Sequence, residues 1–190
     1  MGVAARDPYR WAMDGDPGKG VPQDGGVALP DADQVRAFKA FRRPATEADS
    51  ALPEAAAHGL PEHLDARLGR CVYSGPQGQA YIVPGPASVC FIATGEGIGT
   101  IRGETTTALA AEGGHGFISG AGSRRKPVTF VGILPADAQR LEVLDRAGRR
   151  IAAAPNDDDS YWLEVADPTR MFLVRHDGTE KEIPFASGVE

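Results

Sequence analysis

The residues of this 190-residue chain that could do chemistry are two cysteines, four histidines, one glycine-rich stretch, one basic triplet and one acidic run. Gly95-Glu96-Gly97-Ile98-Gly99 follows the strand-like run Val89 to Ala93, where a nucleotide-binding glycine loop would sit. Its spacing is G-x-G-x-G rather than G-x-G-x-x-G, and no Lys-Ser or Lys-Thr closes a phosphate loop, so it reads as a hairpin or bulge turn. His58 and His63 are five apart around Pro61, and no helix places such a pair on one face as zinc ligands. Gly116-Phe117-Ile118-Ser119-Gly120 carries its serine at the wrong offset for a nucleophile elbow. Cys71 and Cys90 both fall in apolar, strand-like runs, where a thiol is buried and inert. Met13-Asp14-Gly15-Asp16 lacks the later ligands and closing glutamate of a calcium loop. The sequence therefore nominates no catalytic residue, no metal site and no cofactor. One enzymatic alternative stays open: a hydrolase whose site is assembled around His115, with His176, and the acidic loop 157–159.

Asp157-Asp158-Asp159 is the densest acidic run, and three adjacent carboxylates favour a solvated turn over an ion site. Tyr161 and Trp162 follow at once, on opposite faces of the next strand. One should enter the core while the other anchors a contact surface. Asp158, Tyr161 and Trp162 are thus candidate partner-binding residues. A second set is Val35, Phe38 and Phe41, which recur every three positions along a helix predicted over 34–42, capped by Asp31 or Asp33 and stopped by Pro44. That segment could dock on its own domain or lie in a partner's groove.

The elements that must position these groups are mostly strands. From Arg70 the apolar period is two, with strands predicted at 70–74, 79–84, 89–94, 115–119, 128–134, 139–145, 149–154, 160–165, 171–176 and 180–185. A strand–turn–strand pattern occurs twice near the end, over 141–151 and 171–183, each with a Gly-containing polar turn. Val128 to Leu134 is apolar on both faces and reads as a central strand. A helical turn is predicted at 104–112 and a short helix at 61–68. In a simple meander, strands one and three lie about 9 to 10 Å apart, beyond the ~7 Å limit of a disulfide. A Cys71–Cys90 bridge would need another strand order, so free thiols are the expectation.

Residues 1–30 are rich in Gly, Pro and Asp without apolar periodicity and are expected to be a disordered arm. Residues 31–59 read as a short helix and linker, and 60–190 as the β-rich domain. The fold class expected is mainly β: a sandwich-like or open-barrel antiparallel sheet with one or two short helices and that N-terminal arm. A net charge of −6 argues against nucleic acid. Arg124-Arg125-Lys126 reads as a solvated loop. No run approaches the ~18 apolar residues of a membrane span. The first thirty residues have neither an apolar signal core nor a basic start. The chain as written is expected in the cytoplasm, or outside it if the natural start lies upstream.

Phe41 to Asp49, Gln79 to Gly85, Val89 to Ile92, Val131 to Pro135 and Leu141 to Arg149 resemble, over roughly residues 35–185, uncharacterised small β-rich proteins of high-GC bacteria. Such proteins usually carry a membrane-spanning or signal segment before the domain, which implies an extracytoplasmic sensor or interaction module. This chain departs from them in lacking an apolar N-terminal run. The resemblance supplies no catalytic residues. The leading expectation is a non-enzymatic binding module for an unknown protein partner. A structural protein pairing through sheet edges is a further alternative, with oligomeric state open.

Overall fold

The computed structural model describes residues 29–52, 57, 59–61, 64–95, 98–111, 115–119 and 127–183. The expected disordered arm lies outside them except for Leu29 and Pro30, as do His58, His63 and the basic triplet. The described residues are mainly antiparallel β, in three sheets with short helices.

The first sheet is a meander of β1 (Arg70–Gly75), β2 (Gly78–Gly85), β3 (Ser88–Gly95) and β4 (Ile98–Thr105). The helix α2 (Thr106–Ala111) leads to the second sheet, ordered β5 (His115–Ser119), β6 (Val128–Ile133), β9 (Ser160–Val165). The third is ordered β11 (Glu180–Ile183), β10 (Pro168–Arg175), β7 (Ala138–Asp145), β8 (Arg150–Ala153). The expected mainly β, antiparallel fold is thus built as three sheets. The middle one is shared, because β6 is apolar on both faces. Val131 and Ile133 pack toward the first sheet, with Val72, Ile82 and Phe91. Phe130 packs toward the third, with Leu141, Val143 and Met171. The other face of the first sheet buries Cys71, Tyr81, Val83, Cys90 and Ile92 beneath Leu52, Leu60 and Leu64. No ladder joins β1 to β9 or β4 to β5 among the described residues, so the first two sheets form no closed barrel.

The two repeated hairpins lie side by side in the third sheet as copies related by a local twofold. Each residue of one corresponds to the residue thirty positions on in the other. Leu141 pairs with Ala153 as Met171 pairs with Ile183, and the inner strands cross at Glu142 and Phe172. Both turns place glycine at positive φ, 80° at Gly148 and 84° at Gly178, where a side chain would be strained.

Three expectations are corrected. The helix predicted over 34–42 stops early: α1 spans Ala32–Ala37, Phe38 is extended, and a 3-10 turn covers Lys39–Phe41. The break lets Phe38 and Phe41 enter the same core, their rings edge-on at 6.4 Å. Of the helix predicted at 61–68, the described residues form only a 3-10 turn at Ala66–Leu68. Finally, no strand is predicted over 98–105, where the structure forms β4 ahead of the helical turn expected at 104–112, which it places at Thr106–Ala111. The pairing of β4 with β3, from Gly95–Ile98 to Ser88–Thr105, holds it as a strand.

Candidate functional site at the seam between β1 and β9

The segment 31–52 forms a strap across the seam between the first two sheets. Asp31 caps α1 through the amides of Asp33 and Gln34, while the Gln34 side chain accepts from the Asp31 amide. The same Gln34 amide donates to the carbonyls of Gly85 (2.8 Å) and Ser88 (2.6 Å), fixing the strap to the β2–β3 turn. Ala136 donates to Ala37, tying the strap to the β6–β7 corner. Val35 is half-buried, and Phe38 and Phe41 are buried in the core beneath. Of the two dockings open to this segment, the structure displays the one on its own domain. Contact of either phenylalanine with a partner would require the strap to lift.

The far end of the strap is latched by charge. Arg43 donates to both oxygens of Asp49 (2.8 and 3.0 Å), to both of Asp158 (2.9 and 3.0 Å) and to the Cys71 carbonyl (3.0 Å). Asp49 also accepts from the amides of Thr46 (2.5 Å) and Cys71 (2.7 Å). Burial opposes charge on Asp49. Its bonds from Arg43 and from the two amides outweigh burial and hold the carboxyl down at about 2. The Arg43 guanidinium is pushed above its ordinary value, chiefly by its bond to Asp49.

Beyond the latch, Asn156 (2.7 Å) and Ser160 both donate to the Val72 carbonyl from the β8–β9 loop and the start of β9. Next along the seam, Tyr73 on β1 and Trp162 on β9 stack at 5.2 Å with 26° between their planes. Both are half-buried, and Tyr73 donates to Gln77 at 2.8 Å. A Cβ at Gly78, whose φ is 153°, would press on the Trp162 ring at 2.8 Å, so this tip stays flush with the indole only as glycine. Tyr161 points the opposite way, buried in the core of the second and third sheets.

Asp158, Val35, Phe38, Phe41 and Trp162 thus meet around one seam, while Tyr161 lies on its other side. Sequence reasoning missed Arg43, Asp49 and Tyr73. Arg43 and Asp49 are 115 and 109 positions from Asp158, and no local signal links them. Of the acidic run, Asp158 is bound to Arg43 and Asp159 lies 3.7 Å from Lys39. Burial raises the Asp159 carboxyl above its ordinary range, with Lys39, Arg42 and His176 near enough to oppose the shift. His115 starts β5, paired with Gly132. Among the described residues no three His, Cys, Asp or Glu side chains converge in a metal-ligating group. Cys71 and Cys90 are free and buried, on strands one and three of a meander. Burial raises both thiols, Cys90 to about 12. No helix among the described residues is long and apolar enough to cross a membrane.

Comparison with known proteins finds no matching family model, no matching curated protein and no matching solved structure.

Proposed function

We propose that the protein is a non-enzymatic binding module that engages a protein partner at the Tyr73–Trp162 shelf and the acidic corner beside it. The observation that carries this reading is the stacked, half-buried aromatic pair at the mouth of the seam. Tyrosine and tryptophan held in place by a rigid scaffold are the side chains that most often anchor a protein contact, because they bury large areas at little entropic cost. Exposed Glu164 lies two positions beyond Trp162 on β9, and the chain carries −6 overall, which favours a partner with basic residues around an apolar anchor. We further propose a cytoplasmic location, where two buried, unpaired thiols would stay reduced. Fractionation of the source cells tests this, with recovery from the envelope as the contrary result.

The contact itself is tested with Trp11→Phe, which leaves Trp162 as the sole indole of the chain. Peptides selected from a displayed library on the full chain should shift the Trp162 emission. They should bind at least about tenfold more weakly to Tyr73→Ala, provided that variant keeps its thermal transition. Selected peptides that bind both proteins equally and leave the emission unchanged would remove the shelf as the contact surface.

A further inference from the structure

On the reading of the Tyr73–Trp162 shelf as the contact surface, we infer that Asn156 and Ser160 are its positioning residues. Through one shared acceptor, the Val72 carbonyl, they set where the two rings meet.

β1 and β9 belong to different sheets, and no ladder joins them among the described residues. Backbone pairing therefore does not fix the register of one strand against the other. Ring stacking does not fix it either, because two rings are satisfied by a range of offsets and spacings. Hydrogen bonds are directional and short in range, so they do. The Val72 carbonyl accepts from Asn156 Nδ2 at 2.7 Å and from Ser160 Oγ. Tyr73 is the next residue on β1, and Trp162 lies two positions beyond Ser160 on β9. Residues two apart on a strand face the same side. Ser160 and Trp162 accordingly both reach β1, while Tyr161 enters the core on the other side.

The local structure on each side of the seam prepares this bond. On β1 the ladder shifts between Cys71, opposite Tyr81, and Tyr73, opposite Ala80, which leaves Val72 without a partner on β2. A bulge takes its extra residue out of the ladder and bends the strand. Val72 keeps its side chain in the core while its carbonyl meets the β8–β9 loop. In that loop, Asn156 Oδ1 accepts from the amides of Asp158 (3.1 Å) and Ser160 (2.9 Å), and the Asn156 amide donates to the Ser160 carbonyl (2.9 Å). The loop thus grips the side chain by its oxygen and presents its nitrogen to Val72. An aspartate there would accept the same two loop bonds, but at neutral pH it has no proton to give and sets a carboxylate against the carbonyl. Arg43 also spans the seam, from Asp158 to the Cys71 carbonyl, but it does so from the strap, through a third element.

The test uses the full chain with Trp11→Phe, so that Trp162 alone reports. With no peptide present, Asn156→Asp should move the Trp162 emission and open the indole to acrylamide quenching. Ser160→Ala should act in the same direction, and it serves if the first variant fails to fold. Peptides selected on the shelf should bind Asn156→Asp at least about fivefold more weakly, because the surface is no longer held in its bound shape. Gln34→Ala is the control: it removes two bonds to carbonyls at the other end of the strap and should lower the thermal midpoint without moving the emission. An emission unchanged in both seam variants, or changed no more than in Gln34→Ala, overturns the inference. Peptide affinity that Asn156→Asp keeps and Tyr73→Ala loses overturns it too. The emission needs no peptide, so it decides the positioning even where Tyr73→Ala shows that the contact lies elsewhere.

Discussion

Two single residues carry costs that the rest of the molecule offsets. Ala87 sits at φ 52° in the Pro86-Ala87 turn, a region where any Cβ costs about 1 kcal/mol or more. The turn is held there because Ala87 accepts from the Thr106 amide and its flanks accept from Gln34. Ala87→Gly should stabilise the protein by up to about 1 kcal/mol, raising the thermal midpoint by about 2–4 °C. Tyr161 is buried, and its hydroxyl meets no hydrogen-bond partner among the described residues. Tyr161→Phe should therefore be neutral or stabilising by up to about 1 kcal/mol in urea unfolding, since it removes a desolvated group and no bond. A clear loss of stability would show that the hydroxyl has a partner in solution. Neither feature could be read from the sequence: Pro at the first turn position suits two turn types, and a tyrosine does not announce whether its hydroxyl is satisfied.

At the scale of elements, the paired hairpins show which term holds a solvent-facing sheet. Phe172 lies at the centre of the outer face of the third sheet, with the guanidinium groups of Arg150 and Arg170 each 4.8 Å from its ring. Glu142, Glu180 and Glu182 bind those arginines in turn. The Arg170–Glu182 pair is about half exposed and is screened, so it contributes little. Phe172 is 7% exposed, and its burial dominates. Phe172→Ala should cost about 2–4 kcal/mol and Arg170→Ala less than about 1 kcal/mol. Equal costs in urea titrations would put the stabilisation in the ion pairs instead. Both hairpins were legible because apolar alternation and a glycine turn are local signals, and the doubly apolar run over 128–134 announced a central strand. By contrast, β4 was not legible. Its glycines carry no pattern, and only its ladder with β3 makes it a strand.

Across the whole molecule, the Arg43 latch joins the strap, β1 and the β8–β9 loop, so its titration should be felt as global stability. Asp49 titrates at about 2 in the folded protein against an ordinary value of 3.8. A carboxyl whose folded value is depressed stabilises above its unfolded value and loses that contribution as pH falls through the folded one. About 2 kcal/mol should disappear between roughly pH 4 and pH 2. The check is the difference in urea midpoint between the natural chain and Asp49→Asn, which cancels the other carboxylates. That difference should be constant above about pH 5 and shrink below about pH 4. A gap that stays constant down to pH 2 would mean that the latch is not formed.

By itself the sequence determined the class of the molecule, most of its strands, the glycine-containing turns of the last two hairpins and the aromatic pair beside the acidic run. Those features depend on side-chain period and turn chemistry within about ten residues. The tertiary structure decided everything that depends on distant partners. It divided the strands among three sheets, with β6 of the middle one packing toward both others, and it sank Phe38 and Phe41 into the domain's own core. It brought Asp158 to Arg43 and Asp49 across more than a hundred positions, and Tyr73 to Trp162 across 89. Contacts of that span leave no periodic trace. Each residue has the composition of an ordinary surface or strand position until closure of the sheets supplies its partner.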